Sequence, residues 1–495
     1  MKRFYILTMV VITALAACKK YDYYQNNPNN PSQALPSLLL TDICTEVFPY
    51  NFHTDGSAYA SRYLTTYGNT LNTYVSYGWI QGSYGGYDIL RQVKQMDTLA
   101  VAAGNEAYVG LAHFFRAVIF SQLTEMFGDI PYSQALQATS GNSTPVYDKQ
   151  EDVYLGVLNE LEQANTIMAN AAGKNLRITG DVIYGGNASQ WQKAINAFRL
   201  RLLIHLSKKT NDTKLNVVQQ FQTIMADAAT YPLMTSNDDN AQIVFNTTAT
   251  SNYYPTYNSL SVVSTVSMEK GFVDTLKAKN DPRLFSFAEP IPGKTAGIIA
   301  SYAGVDAGLT STDQQNSASV TSLINKRYSN SMVNEPMMLI GYPEQEFLIA
   351  EAIARGWITG GRNSATAADC YNEAITSSMQ FYNTYAKAGI SNSDISTYLA
   401  QSNVAYNNAT AIQQIITQKY IALFVQSDFE PFVEQRRTGF PTFDVGAGTL
   451  NNGIVPKRWA YPTKEYEQNG TNVKAAVQSQ YGGTDDVNQA MWLLK

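Results

Sequence analysis

Apolar residues recur every three or four positions along most of this chain, a spacing that predicts α-helices. The clearest case runs from Glu106 to Phe127. Leu111, Phe115, Val118, Ile119, Gln122 and Met126 share one face, and Phe114 and Leu123 widen it. Gly128 offers a cap and Pro131 forbids continuation. Further helices are predicted from Glu151 to Asn170, through Val153, Val157, Leu161 and Met168, and from about Leu215 to Ala228. Between them lies a helix that starts with Ser189 as N-cap and carries Trp191, Ile195, Phe198, Leu202 and Leu206. From Asn237 to Met338 the helical period fades into Ser, Thr, Asn, Gly and Tyr, broken by short helical stretches such as Val266 to Ala278. Helices resume at Pro343, a first-turn proline followed by Glu344 and Glu346 near the positive helix end. Others are expected near Ala367–Ala386 and Ala409–Gln426, and Gly439–Lys495 reads as turns.

These elements predict an all-α dominated chain in which residues 37–495 form one domain. A helical-repeat body covers about 37–236 and 339–438, a loop-rich insertion about 237–338, and a turn-rich C-terminal segment 439–495.

The N-terminus follows another logic. Lys2 and Arg3 precede an apolar run from Phe4 to Ala17, and Leu15-Ala16-Ala17-Cys18 closes it. A run of about 14 apolar residues suits a signal-peptide core, whereas a membrane-spanning helix needs roughly 20. Residues 1–17 are therefore expected to be removed, leaving Cys18 to take a diacylglycerol as a lipid anchor. Residues 18–36, with Asn26-Asn27-Pro28-Asn29-Asn30-Pro31, form an Asn/Pro tether that can neither continue a helix nor supply a core. No later run approaches bilayer length, so the lipid is the only expected membrane attachment.

Charge removes several classes of function. Charged residues are 15% of the chain, well below the usual quarter, and net charge is −5, with no basic patch for nucleic acid. The polar surface must come from Asn, Gln, Ser, Thr and the 33 Tyr, a composition suited to neutral, hydroxyl- or amide-rich ligands. Cys44 and Cys370 read as small buried hydrophobes. His53, His113 and His205 are scattered, with no His-x-x-x-His pair for zinc, so His113 and His205 read as structural. Gly82-Ser83-Tyr84-Gly85 lacks the spacing of a nucleophile elbow, and no phosphate or dinucleotide glycine loop occurs. Paired carboxylates of the glycosidase kind could still meet in space. No cofactor is expected. Asn237-Asp238-Asp239-Asn240 offers hard oxygens to a structural calcium ion, but reads more readily as a solvated turn.

Sugar rings have apolar faces and polar edges, so a site for them needs flat aromatics beside amides and hydroxyls. Tyr59, Tyr63 and Tyr67, four apart, read as a buried helix stripe; Tyr84 and Tyr87 open the next helix with Leu90, Val93 and Asp97. Between them Tyr74, Tyr77 and Trp79, near Asn69, Asn72 and Gln81, form the first candidate ligand site. Tyr253, Tyr254 and Tyr257 form the second.

Several stretches resemble the SusD/RagB family of outer-membrane nutrient-binding lipoproteins, most closely its SusD-like subgroup. The resemblance lies in Asn26–Pro31 through Ser37-Leu38-Leu39-Leu40, in Arg116–Phe120 with Phe127-Gly128-Asp129-Ile130-Pro131-Tyr132, and in Trp191 to Arg201. It continues in Asn280-Asp281-Pro282-Arg283-Leu284, Gln435–Pro441, and Pro456–Pro462 with Glu465 and Asn469. A departure is the Lys19-Lys20 pair, where surface-exported relatives often carry acidic residues. The resemblance implies tetratricopeptide-like helix pairs, no catalysis, and an outer-membrane protein facing the cell exterior. It also implies a partner, a SusC-like TonB-dependent transporter barrel, to which oligosaccharides are delivered. Rival readings are peptide cargo in the same system, a secreted polysaccharide hydrolase, and a scaffold that binds only proteins.

Overall fold

The computed structural model describes residues 35–48, 56–66 and 72–495. The signal peptide, Cys18, the tether up to residue 34, His53, Tyr67 and Asn69 lie outside the described residues.

Antiparallel helices follow one another around the body: α1 (Pro36–Val47), α2 (Gly86–Ala103), α3 (Glu106–Phe127), α4 (Gln150–Gly173) and α5 (Ala188–His205), each packed on the next. α6 (Val217–Ala226) packs on α5. After the insertion, which includes α7 (Lys270–Ala278), α8 (Tyr342–Ala354) docks on α5 and pairs with α9 (Ala367–Ala386). α10 (Asn392–Leu399), α11 (Ala411–Ala422), α12 (Glu430–Thr438) and α13 (Gly470–Tyr481) complete the chain, with α11 lying against both α8 and α9. The all-α dominated fold of helix pairs is as the periodicity predicts.

Local chemistry sets most helix ends. Asn105 caps α3 by accepting from Ala107 N–H. Thr366 and Asp369 form a reciprocal capping box on α9. Asn187, not Ser189, caps α5: its side chain accepts from Ser189 and Gln190 N–H, so Ser189 is already inside the helix. The expected Val266–Ala278 helix is divided, because Val266–Met268 joins a sheet and Glu269 then caps α7 by accepting from Phe272 N–H. The C-terminal segment, expected as turns, contains α13.

Two short antiparallel ladders organise the insertion. β1 (Leu64–Thr66) pairs with β3 (Val266–Met268), placing Thr66 opposite Val266. β2 (Ala241–Ile243) pairs with β4 (Met337–Ile340), so the insertion leaves and re-enters the body at one place. The tyrosine stripe is not helical as expected. The helix at Ser57–Ala60 is a single turn, and Tyr63 precedes β1. Tyr63 is nevertheless buried, stacked on Tyr420 at 4.4 Å and donating its hydroxyl to the Tyr420 carbonyl. Cys44 and Cys370 are buried and unpaired, as their apolar settings predict.

Candidate functional site

The structure divides the predicted aromatic residues into core and surface. Trp79 is only 6% exposed, stacked 5.1 Å from Trp459 and edge-on to Phe432. Tyr77 is fully buried, with the Arg62 guanidinium 3.8 Å above its ring and its hydroxyl donating to the Ala60 carbonyl. Tyr254 is buried edge-on against Phe245. These three therefore pack the core and offer no face to a ligand, contrary to their reading from sequence. Large flat rings are recruited as readily by apolar burial as by recognition, and sequence composition does not separate the two.

The remaining candidates reach the surface. Asn72 is half-buried, and its Oδ1 accepts from Tyr74 and Val75 N–H, so it builds the turn that presents Tyr74. The half-buried Tyr74 ring lies across Gly56, where any β-carbon would fall 2.3 Å from it. Exposed Gln81 accepts from the Thr463 hydroxyl. Tyr253 and Tyr257 are half-buried and meet edge-to-face at 5.5 Å.

Tyr253 and Tyr257 belong to a lobe without formal charge, since no Asp, Glu, Lys or Arg occurs from Ala241 to Met268. The chain at 254–259 lies beside 328–332. Tyr254 N–H donates to the Met332 carbonyl, Asn258 N–H to Ser329, and the Thr256 hydroxyl to Tyr328. Beneath it, Arg327 and the Tyr328 hydroxyl both bond buried Glu335, which fixes the second segment. Val244, Leu260, Met332 and Val333 are exposed, with Leu260 at 78%. The lobe thus presents aromatic and aliphatic faces among amides and hydroxyls. The β1–β3 ladder brings the chain leaving Thr66 next to Val266, so both sequence candidates are attached to one sheet.

A separate groove of about 650 Å³ lies between residues 81–91, 131–145 and 462–469. Gln81, Tyr84, Tyr87, Thr463 and Asn469 line it with Arg91 and Glu465. Tyr84 and Tyr87 read as packing in the sequence, but only half of that holds: each is half-buried and borders the groove. The available signal was the surrounding Gly82, Gly85 and Gly86, since glycine-flanked tyrosines often edge a surface recess. A second cleft, about 620 Å³ between α8 and α9, is acidic, with Glu346, Asp369 and Glu373 facing Arg362 and Tyr342. Burial, opposed by Gln345 and Cys370, raises the Glu346 pKa to about 7.

One cluster of paired charges lies inside the body. Arg201 of α5 forks onto Glu344, and Lys419 of α11 reaches Glu430 at 2.6 Å, Glu434 at 2.8 Å and Glu344 at 3.2 Å. Arg437 bridges Glu434 and Glu351. His205 lies between Glu125 at 2.7 Å and Glu430 at 3.1 Å. Burial by itself lowers the His205 pKa, but Glu430 and Glu125 outweigh it and hold the imidazolium up to about 10. His205, Glu430 and Glu434 have the spacing of a metal site, yet the Lys419 ammonium already pairs with both carboxylates. His113 pairs with Glu160, which also holds Arg116. Both histidines are bonded to buried carboxylates, in keeping with a structural role. At Asn237–Asn240, Asp239 bonds Lys193 and Thr235, and Asn240 Oδ1 accepts from Tyr342 N–H. That turn is tied into the fold.

No described helix is long and apolar enough to cross a membrane. A family model for SusD-like, starch-binding proteins associating with the outer membrane matches residues 28–462. A SusD homolog from Bacteroides fragilis is 40% identical, with a TM-score of 0.84 over 94% of this chain and 100% of that one. An outer-membrane protein from Bacteroides vulgatus, described in connection with nutrient binding, is 36% identical, with a TM-score of 0.85 over 93% and 100%. A second B. fragilis SusD homolog is 30% identical, with a TM-score of 0.85 over 93% and 100%. No curated protein matches. The chain belongs to the SusD/RagB family, within its SusD-like group.

Proposed function

We propose that this chain is a non-catalytic, lipid-anchored glycan-binding protein of the outer membrane, which passes oligosaccharides to a SusC-like TonB-dependent barrel. The observation that carries the cargo is the uncharged lobe, where half-buried Tyr253 and Tyr257 stand among Asn, Ser and Thr. Sugar C–H faces stack on such rings while the edges bond amides and hydroxyls, without an ion to desolvate. The starch-binding description of the family agrees with this choice. Cys18 supplies the anchor; one acyl chain holds weakly and two or more hold stably.

The test is a calorimetric screen of the purified chain against soluble polysaccharides, their oligosaccharides and mixed oligopeptides. Saturable glycan binding without release of shorter sugars is the expected result. Binding confined to peptides would overturn the cargo, and chain shortening of a polysaccharide would overturn the non-catalytic role. Co-purification of a barrel from membranes, and diacylglycerol on Cys18 by mass spectrometry, test the remaining two parts.

A further inference from the structure

Three carboxylates from distant parts of the chain converge beside the β1–β3 sheet: Glu269 at the start of α7, Asp306 in the insertion, and Asp444 after α12. One oxygen from each lies within 4.8 Å of the other two. Glu269 is fully buried, and its Oε1 has no hydrogen-bond partner, while Oε2 accepts from Phe272 N–H. A buried carboxylate oxygen left unpaired is costly, and native structures almost always satisfy one.

The nearby cations do not meet this need. Arg62 donates Nε to the Asp444 carbonyl and Nη1 to the Val75 carbonyl, and Lys270 pairs with Asp274 at 2.8 Å. No ion pair among the described residues joins either to the three carboxylates. Burial and Asp444 drive the Glu269 pKa upward, while Arg62 and the Phe272 and Ala307 backbone N–H groups pull it back, and it stands at about 8.

Backbone packing around the three is close. Gly448 N–H donates to the Gly308 carbonyl at 2.8 Å, and a β-carbon on Gly446 would fall 2.6 Å from that same oxygen. A β-carbon on Gly271 would lie 3.1 Å from Glu269 Oε2 and 3.2 Å from Asp444 Oδ2. The loops are thus held together by their backbones, with their acidic oxygens turned to a common point.

We propose that Glu269, Asp306 and Asp444 hold a calcium ion that ties α7, the insertion and the C-terminal segment together. An oxygen-only, multiply anionic set selects a hard cation over zinc or copper. Ligands from three independent loops suit calcium, which accepts irregular geometry at about 2.3–2.6 Å, better than magnesium, which demands a near-octahedral shell. Through Arg62 the site is linked to Val75, and so to the turn that presents Tyr74. The proposal is independent of the cargo.

The purified chain is stripped with EDTA, and CaCl2 or MgCl2 is titrated at constant ionic strength, followed by calorimetry and thermal unfolding. One calcium per chain is expected, with a rise in Tm of about 2–5 °C at saturating calcium and a smaller response to magnesium. Asp306→Asn and Asp444→Asn are expected to keep the circular dichroism of the parent and lose at least tenfold in calcium affinity. Glu269→Gln replaces the buried carboxyl with a neutral group of the same shape and removes the ligand. It should leave the stripped protein at least as stable as the parent and abolish the calcium response. No calcium response in the parent, a response retained in all three variants, or equal responses to both metals would overturn the proposal.

Discussion

The hub around Lys419 and the lobe around Tyr257 use opposite chemistry. In the hub, Arg201, His205, Lys419 and Arg437 are buried with Glu344, Glu351, Glu430 and Glu434, each cation reaching a carboxylate. In the lobe no formal charge occurs across 28 consecutive positions from Ala241 to Met268. Buried ions that are fully paired fix geometry, since any displacement leaves a charge uncompensated in a low dielectric. A neutral surface has no such penalty, and can take and release an uncharged ligand. The framework is specified by charge and the proposed recognition face by its absence.

The largest way to break this contrast is Glu430→Ala, which strips His205 and Lys419 of a shared partner. A loss of about 3–5 kcal/mol is expected in denaturant unfolding, and a loss under 1 kcal/mol would show that the hub does not hold the framework. Trp79→Ala, in the packed cluster with Trp459 and Phe432, should cost about 3–5 kcal/mol as a large-to-small core change. If it instead lowered glycan affinity with stability intact, Trp79 would return to the ligand site.

The hub also predicts how stability depends on pH. The His205 pKa is higher in the folded than in the unfolded chain, so its contribution is fully present below about 6.5 and is lost as pH rises through about 10. Glu430, held well below the usual carboxylate range because His205, Lys419 and Arg201 overcome burial, acts oppositely and is lost in acid. Between pH 7 and 9 the His205 contribution should fall by at most about 1.4 kcal/mol per unit, read from urea midpoints. A flat profile there would argue that His205 is neutral in the fold. The smallest expected effect is in the lobe. Tyr257→Ala should leave the midpoint almost unchanged and weaken glycan binding about three- to tenfold by calorimetry.

The motifs that made the family legible belong mainly to the framework. Arg201 and Arg437 sit in the hub, and Trp191 donates its Nε1–H to Asp181. Arg283 is fully buried, bonded to Asp281, Ser378 and Gln418. Such residues report how the body is assembled, and carry little information about what its surface binds. That is why the fold was readable in detail while the burial of the candidate site residues was not. Tyr74, Tyr253 and Tyr257 reach the surface, whereas Tyr77, Trp79 and Tyr254 do not.

Sequence alone determined the helices, because periodicity and caps act within a few residues: Glu106–Phe127 is found where its stripe predicts. Sequence likewise determined the poverty of charge and the family. Which aromatics are covered was decided only in three dimensions, by partners far along the chain. Trp79 is hidden by Trp459, and its indole N–H donates to the Arg458 carbonyl, 379 positions away. The convergence of Glu269, Asp306 and Asp444 has the same origin, because no local spacing encodes a meeting of three loops.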